Sequence, residues 1–350
     1  MTGEAPPLAR ATLDRAAHRR TDPDWLAEAW ERARVLVLDS TDDGRALVRG
    51  PASDHSGSAR LTPRRDPEQS ADQSGSARLT PRRDPEQSAP RELVLIGSGE
   101  LPEVPRSVPM FLGLEPDGVP VFAVDAPLPE LPGTRRANLR EVGHLLTDRD
   151  AGIFTTALAL LNWHLRHRYS SATGHSTQAD EAGWSRVDAM GDRMWPRTDP
   201  AMIVLIHDGT DGPDGRCLLG NNATWARSPG QRRYSCLAGY VEPGESAEAA
   251  VLREVREEVG VGVDEIAYAG SQSWPFPGSL MLGFLARADA DEPIRVDPAE
   301  IAHARWFTRR EIGAALAGGP VLVDGGDRLV LPPPSSIALF LVHRWLDGHC

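Results

Sequence analysis

"GYVEPGESAEAAVLREVREEVGV", residues 239–261, contains the helix that decides the fold of this chain. Ser246 is a preferred N-terminal cap, Gly260 suits a left-handed C-terminal cap, and most residues between them favour a helix. Valines at every fourth position give this helix one apolar stripe for packing on a sheet: Val251, Val255 and Val259. The stretch therefore predicts an amphipathic helix from about residue 247 to residue 259.

Three glutamates crowd a different face of the same helix. Glu254, Glu257 and Glu258 follow i, i+3, i+4 spacing, which places their carboxylates side by side. Such carboxylates repel each other by about 1 kcal/mol per pair at 4 Å in water, and by more where water is excluded. A solvated acidic face is the ordinary interpretation of a charge run. A site for hard divalent cations is the alternative.

The loop before the helix favours the cation site. Gly239 and Gly244 allow its backbone to approach a ligand closely. Glu245 adds a fourth carboxylate, and Arg253 can hold a carboxylate through two parallel hydrogen bonds. The loop and the helix together therefore favour a cation site over a solvated acidic face.

Length and composition set the class of protein. The 350 residues suffice for two or three domains, with 25% charged and 40% hydrophobic residues. A formal net charge of -12 argues against bulk, sequence-independent binding of nucleic acid. The three scattered cysteines predict neither a disulfide framework nor a thiolate metal site. We expect a cytoplasmic enzyme, because the start of the chain lacks the apolar core of a signal peptide and no apolar run could span a membrane.

Before the signature, the chain predicts two further units. Residues 1–147 predict an α+β domain in which Asp22 or Thr21 caps a short helix and residues 115–118 form a hairpin turn. An identical 16-residue repeat, SGSARLTPRRDPEQSA, occurs twice inside an insertion at about residues 52–90. Two copies with one leucine each cannot bury a core, so we predict a disordered loop. A basic interaction arm is the alternative interpretation.

Residues 148–198 predict a long helix followed by a small module. Asp148 or Asp150 would start the helix, and we expect His164 and His167 to be helix-end histidines favoured by the dipole rather than ligands.

The spacing around the glutamates resembles the signature of the Nudix hydrolases, G-x5-E-x7-R-E-U-x-E-E-x-G-U with U apolar. All nine fixed positions match: Gly239, Glu245, Arg253, Glu254, Val255, Glu257, Glu258, Gly260 and Val261. The resemblance implies an α/β/α sandwich over residues 199–350. It also implies two or more Mg²⁺ or Mn²⁺ ions that bridge a diphosphate and activate the attacking water. The resemblance therefore favours a site for divalent cations over a solvated acidic face.

A second element resembles the NADH pyrophosphatase subfamily. "SQSWPFPGS", residues 271–279, matches S-Q-P-W-P-F-P-x-S except that Ser273 replaces the first proline. The resemblance implies substrate contacts from this element, from the aromatic residue after the signature glycine, and from the segment LPPPSSIALFL: Gln272, Trp274, Phe276, Ser279, Tyr240, Ser336 and Ala338. It also implies metal ligands at Glu254, Glu257, Glu258, Glu300 and the carbonyl oxygen of Gly239.

One departure concerns zinc. Members of the subfamily often carry a four-cysteine ribbon, but the matching positions here hold Ser170, Thr173, Val187 and Met190. Because valine offers no donor atom and methionine is a soft ligand, we expect the module to fold without zinc. Three tryptophans are candidate apolar anchors: Trp163, Trp184 and Trp195.

The resemblance implies hydrolysis of NADH or NAD⁺ to nicotinamide mononucleotide and AMP, removal of NAD caps from RNA, and a homodimer. Glu245 and Arg253 would orient the catalytic set, while the general base stays open among the four metal-binding glutamates. An ADP-ribose or ADP-sugar hydrolase would share the helix but not need WPFPGS. A nucleotide-sensing regulator is the alternative outside enzymes.

Overall fold

The computed structural model describes residues 5–50, 91–101, 103–226 and 228–349. The duplicated insertion lies outside these residues, so its predicted disorder stays a prediction. The described helices are α1 Pro23–Glu31, α2 Leu139–Val142, α3 Asp148–Arg166, α4 Ala247–Val259, α5 Arg309–Leu316 and α6 Ile337–Leu346. In the described parts of the chain, no helix is long and apolar enough to cross a membrane.

The N-terminal region contains two small sheets that enclose a common core with α3. Its strands are β1 Arg34–Leu38, β2 Ala46–Arg49, β3 Glu92–Leu93, β4 Ile96–Gly97, β5 Met110–Leu114, β6 Pro120–Asp125 and β7 Thr134–Ala137. One sheet has the order β4-β1-β6-β5, with β1 and β6 parallel, and the other has the order β3-β2-β7. The predicted turn is confirmed, since the Gly118 amide donates to the carbonyl oxygen of Glu115.

The starts of α1 and α3 agree with the sequence. Asp22 accepts a hydrogen bond from the Trp25 amide and so caps α1, as predicted. α3 begins at Asp148, as predicted, and Thr147 caps it by accepting from the Asp150 amide. Threonine is a common cap, and it leaves both aspartates in the first turn, where the helix dipole favours negative charge.

A three-stranded hairpin module follows α3. Its strands are β8 Thr177–Asp180, β9 Ser185–Asp188 and β10 Arg193–Met194, in the order β10-β9-β8. Where the ribbon pattern expects thiolates, Ser170 Oγ donates to Asp192 Oδ2 at 2.6 Å, and Thr173 Oγ1 donates to Asp188. Asp188 Oδ1 also accepts from the amides of Met190 and Asp192. Hydrogen bonds therefore hold this part of the module together, at positions where a ribbon would bind zinc.

The three predicted tryptophan anchors differ in burial. Trp163 is buried, and Trp184 packs on the N-terminal core while its Nε1 donates to the carbonyl oxygen of Phe111 at 2.6 Å. Trp195 is 59% exposed, so its prediction as an anchor was wrong. The dipole interpretation of His164 was also wrong: it is buried, and its pKa falls to about 4 because burial penalises the charged ring.

The C-terminal region is a mixed sheet between helices, the sandwich implied by the signature. Its strands are β11 Asp199–His207, β12 Arg216–Asn222, β13 Gln231–Arg233, β14 Leu237–Tyr240, β15 Asp264–Trp274, β16 Ser279–Arg287, β17 Ile301–Thr308 and β18 Arg328–Val330. The main order is β15-β16-β11-β12-β17, and β14 pairs with β11. Along β11, Met202 faces the α4 core while Ile203 faces the α6 core, as alternation requires. β13 and β18 pair separately.

Candidate active site

The signature helix forms as predicted. Ser246 accepts a hydrogen bond from the Ala249 amide, and Gly260 ends α4 with a φ of 71°. Val251, Val255 and Val259 are each 0% exposed against the sheet. This anchored stripe fixes the orientation of the carboxylates on the remaining helix surface.

Three carboxylates converge at one point. Glu254, Glu258 and Glu300 each offer an oxygen, and these oxygens all lie within 4.8 Å of one another. Glu258 is 4% exposed, and its Oε2 is buried without a hydrogen-bond partner. Burial, and then the charges of Glu254, Glu300 and Glu257, raise the pKa of Glu258 to about 8. A divalent cation would supply the missing partner and offset the repulsion, so these residues fit Mg²⁺ or Mn²⁺.

Gly239 makes room for this cluster. A Cβ atom at residue 239 would lie 2.0 Å from Glu254 Oε1, which is far inside van der Waals contact. Gly239 pairs with Met202 in the sheet, so the strand cannot easily move away. Only glycine lets β14 and the Glu254 carboxylate approach this closely. Metal binding through the Gly239 carbonyl oxygen remains a prediction.

Arg253 joins the surrounding groups. Its Nε and Nη2 each donate to Glu245 at 2.9 Å, and Nη2 also donates to the carbonyl oxygen of Tyr240 at 3.0 Å. Its Nη1 lies 2.9 Å from Glu254 Oε1 and 3.1 Å from Glu257 Oε2. These hydrogen bonds from Arg253 also hold the pKa of Glu245 below its usual value. Arg253 and Glu245 therefore form one hydrogen-bonded group with the neighbouring glutamates, and their orienting role remains a prediction.

Glu257 lies apart from the converging carboxylates. Its side chain is 58% exposed and pairs with Arg253, one turn earlier on the helix. The structure therefore brings together three of the four predicted side-chain ligands, and direct metal binding by Glu257 remains a prediction.

A cavity of about 390 Å³ opens on the α6 side of the sheet. Two predicted substrate residues, Trp274 and Ser336, line it. The other lining residues are Arg140, Ile203, Trp225, Arg233, Ser235, Met281, Pro332, Pro333 and Ile337. This volume and this mixture of apolar walls with a few polar groups are typical of small-molecule sites. We call it the substrate cavity, because the sequence predicts substrate contacts from two of the residues that line it.

The loop after β12 connects the carboxylates to the substrate cavity. The Ala223 amide donates to the carbonyl oxygen of Glu300 at 2.7 Å, and Trp225, two residues later, lines the cavity. Tyr240 follows Gly239 directly in the sequence, and its hydroxyl lies 3.5 Å from Ser279 Oγ. Tyr240 is 58% exposed, whereas Ser279 is buried.

The remaining predicted contacts lie outside the cavity lining. Gln272 is 1% exposed: its Oε1 accepts from the Leu8 amide at 3.2 Å and its Nε2 donates to the Ser335 carbonyl oxygen at 3.0 Å. Ala338 is also buried. Gln272 therefore connects the start of the chain to the segment before α6, and substrate contacts from Gln272 and Ala338 remain predictions.

Arg140 is a residue that the sequence did not predict. It comes from α2 of the N-terminal region, lines the substrate cavity, and places its guanidinium 3.9 Å from the ring centroid of Phe276. The Arg140 carbonyl oxygen accepts from Ser335 Oγ at 2.7 Å. Phe276 itself packs on the N-terminal core. Local sequence carries no signal for a contact between residues so distant in the chain.

Comparison with known proteins agrees with this architecture. The family model "NUDIX domain" matches residues 197–322, and "NADH pyrophosphatase-like rudimentary NUDIX domain" matches residues 31–163. The chain is 38% identical to the NAD-capped RNA hydrolase NudC of Mycobacterium tuberculosis, over 97% of this chain and 94% of that protein. The chain belongs to the NADH pyrophosphatase group of the Nudix family.

Other proteins match over shorter lengths. The human NAD-capped RNA hydrolase NUDT12 is 38% identical over 57% of this chain and 43% of its own length. Among solved structures, a NUDIX-family hydrolase from Clostridium perfringens aligns with a TM-score of 0.31 and 14% identity, over 44% of this chain and 99% of that chain. The family assignment rests on the first relative, which matches nearly end to end.

Proposed function

We propose that this chain hydrolyses the pyrophosphate bond of NADH and NAD⁺, releasing nicotinamide mononucleotide and AMP, and removes NAD caps from RNA. The observation that carries the proposal is the loop from Ala223 to Trp225, which bonds to the backbone of Glu300, one of the three converging residues, and lines a cavity large enough for a nucleoside. The relatives named as NAD-capped RNA hydrolases support the same substrate class. A homodimer belongs to the proposal on resemblance alone, and a cytoplasmic location belongs to it as an expectation from the sequence.

Glu254, Glu258 and Glu300 would hold the divalent cations, Mg²⁺ or Mn²⁺, with Glu257 and the Gly239 carbonyl oxygen as further ligands. Such ions, when bound, stabilise charge on a diphosphate and lower the pKa of a bound water. Arg253 keeps Glu245 and Glu254 in fixed orientations, so little reorganisation is needed when the substrate arrives.

The chain's own residues would position the dinucleotide. Trp274 in the cavity wall and the exposed ring of Tyr240 offer aromatic faces for a base or a nicotinamide ring. Ser336 offers a hydroxyl and backbone groups at the start of α6. Arg140 supports the Phe276 loop from the N-terminal region.

A product assay tests this function. Purified protein is incubated with NADH, NAD⁺, NAD-capped RNA, ADP-ribose and nucleoside triphosphates, each with Mg²⁺ and with Mn²⁺, and the products are separated chromatographically. We expect nicotinamide mononucleotide and AMP from the dinucleotides, and a 5′-monophosphate end on the RNA. A higher kcat/KM for ADP-ribose than for every NAD-containing substrate would identify an ADP-ribose hydrolase instead.

A further inference from the structure

A second cavity, of about 320 Å³, adjoins the substrate cavity. Trp225 and Arg233 line both cavities and so form a shared wall. The described residues that also line the second cavity include Ala223, Arg232, Ala302, His303 and Asp327. The family signature uses none of these residues.

The second cavity lies close to Glu300, one of the three residues whose carboxylates converge. Ala302 and His303 lie on β17, two and three residues after Glu300, and the Ala223 amide donates to the Glu300 carbonyl oxygen. The cavity therefore begins beside the strand end that carries one of the converging carboxylates. A capped RNA could be cleaved beside Glu300 with its capped end bound in the substrate cavity. The rest of such an RNA could then extend past Trp225 into the second cavity.

Its chemistry suits a nucleotide. The Arg233 guanidinium lies 5.6 Å from the centroid of the Trp225 ring, so an aromatic face and a cation share one wall. Arg232 binds Asp327 Oδ2 through Nε at 3.3 Å and Nη2 at 3.1 Å, while its Nη1 is buried without a hydrogen-bond partner. A buried donor without a partner is costly, and a phosphate oxygen would satisfy it.

The local charge also differs from that of the whole chain. Among the described lining residues, two arginines outnumber one aspartate, whereas the chain as a whole carries -12. A net charge of this sign disfavours binding of RNA over the general protein surface. Any contact with an RNA backbone must therefore come from a local group of cations such as this one.

We propose that the second cavity binds the first nucleotide of the RNA that follows an NAD cap. The base would stack against the Trp225 wall, and Arg232 and Arg233 would contact the phosphodiester. Aromatic stacking combined with arginine contacts is a common way to bind single-stranded nucleic acid. This inference rests on the proposed function, and it predicts a preference for capped RNA over the free dinucleotide, which has no such nucleotide.

Two variants of the same ion pair provide the test. Arg232→Gln removes the guanidinium, whereas Asp327→Asn breaks the same pair but leaves the guanidinium in place. For each protein, the ratio of kcat/KM on a ten-nucleotide NAD-capped RNA to kcat/KM on NAD⁺ is measured. We expect Arg232→Gln to lower this ratio about tenfold, as loss of one charged hydrogen bond typically does, and Asp327→Asn to keep it. The salt dependence on capped RNA should become shallower by about 0.7 in log–log slope for Arg232→Gln only.

Equal loss on both substrates in Arg232→Gln would mean that the cavity serves the dinucleotide itself, and equal effects of both variants would mean a structural ion pair. Either result overturns the proposal. Binding of a fluorescent 5′-monophosphate tetraribonucleotide separates the cavity from the reaction. If wild type binds it through Arg232 but does not remove caps, the cavity proposal holds and the proposed function fails. If Arg232→Gln changes neither oligonucleotide binding nor the ratio, the cavity proposal is wrong.

Discussion

Glu258 stands in an environment that opposes its own charge. It is buried, one carboxylate oxygen has no partner, and Glu254 and Glu300 converge on it. Arg253 neutralises the outer side of the cluster by binding Glu245, Glu254 and Glu257. The inner side has no such cation among the described residues. Without metal, the native state therefore carries an electrostatic penalty that a bound ion would remove.

Glu258→Gln should separate stability from activity. Removing the charge relieves the repulsion, so the metal-free variant should melt at a higher temperature than wild type. The rise in Tm that Mg²⁺ or Mn²⁺ gives wild type should shrink, because a ligand stabilises only through its affinity for the native state. Turnover of NAD⁺ should fall by more than the roughly 10- to 100-fold typical of residues that merely support metal ligands.

Glu248→Gln provides the matched control, because the same chemical change then falls on an exposed position in the first turn of the same helix. This variant should keep wild-type turnover and its response to metal. Normal turnover of Glu258→Gln at saturating metal would show that the converging carboxylates are not the metal site.

Single residues were predictable from sequence where their role is local. Ser246 and Gly260 act on backbone groups within one turn, so their types and spacing determine what they do. Gln272 differs, because its partners are the Leu8 amide, 264 residues away, and the Ser335 carbonyl oxygen, 63 residues away. No local pattern distinguishes a glutamine that contacts a ligand from one that connects two segments. Arg140 escaped prediction for the same reason.

At the scale of elements, the hairpin module replaces metal ligands with hydrogen bonds. The hydroxyls of Ser170 and Thr173 bind Asp192 and Asp188, the latter of which also accepts two backbone amides. The sequence predicted the loss of thiolates but not this network, because Asp192 and Asp188 fall outside the expected ligand positions. Packing also overrode composition at Trp195, which is exposed beside a module that Trp184 anchors.

We expect purified protein to contain no stoichiometric zinc and to keep its fold in a strong chelator. Structural zinc commonly contributes about 10 kcal/mol or more to small modules, so a module that depended on it would unfold on chelation. Chelation should still stop turnover by removing the catalytic ion, and added Mg²⁺ or Mn²⁺ should restore activity without refolding. Elemental analysis and circular dichroism measure both effects. One zinc per chain, together with unfolding in chelator, would contradict this expectation.

His164 should make the same module sensitive to acid. Its ring nitrogens lie 2.9 Å from the Gly183 carbonyl oxygen and 2.9 Å from Arg186 Nη1, so the neutral ring connects α3 to the hairpin. Burial, with smaller contributions from Arg186 and His167, lowers its pKa from 6.5 to about 4. The unfolded chain therefore takes up this proton first. His164 thus contributes to stability above pH 6.5, and that contribution is lost as pH falls from 6.5 to about 4.

Urea unfolding at several pH values measures this contribution, which has an upper bound of about 3 kcal/mol. His164→Gln keeps a donor and an acceptor but does not titrate, so the difference in stability between wild type and variant should shrink as pH falls through this window. Carboxylates titrate equally in both proteins and cancel. His18→Gln, at an exposed position, serves as the control and should show a constant difference. A constant difference for His164→Gln as well would refute the prediction.

At the scale of the whole molecule, the N-terminal and C-terminal regions share one site. The Phe276 loop belongs to the C-terminal chain but packs on the N-terminal core, and Arg140 crosses in the opposite direction. Asn162 of α3 also donates to the Pro275 carbonyl oxygen at 2.7 Å. The signature predicted the catalytic layer, but the sequence could not predict that the substrate cavity would be completed by a helix 134 residues before Trp274.

Deleting residues 56–73, one repeat copy with its two linker residues, should change neither activity nor Tm appreciably. The insertion joins β2 to β3, which pair directly through Val48–Leu93 and Arg49–Glu92. The ladder holds the two ends together whatever connects them, and closure entropy changes slowly with loop length. Thermal melting and the NAD⁺ assay provide the measurement. A large loss in either would show that the repeat contributes structure.

The β2–β3 pair has a practical consequence for work on this enzyme. The adjacent ends of β2 and β3, which a long stretch of chain joins, are a suitable place to insert a genetically encoded label. A fluorescent protein or an affinity peptide could be grafted there, in place of the second repeat copy, with both of its termini attached. Such an internal label would report on the enzyme in living cells while leaving both ends of the polypeptide unmodified.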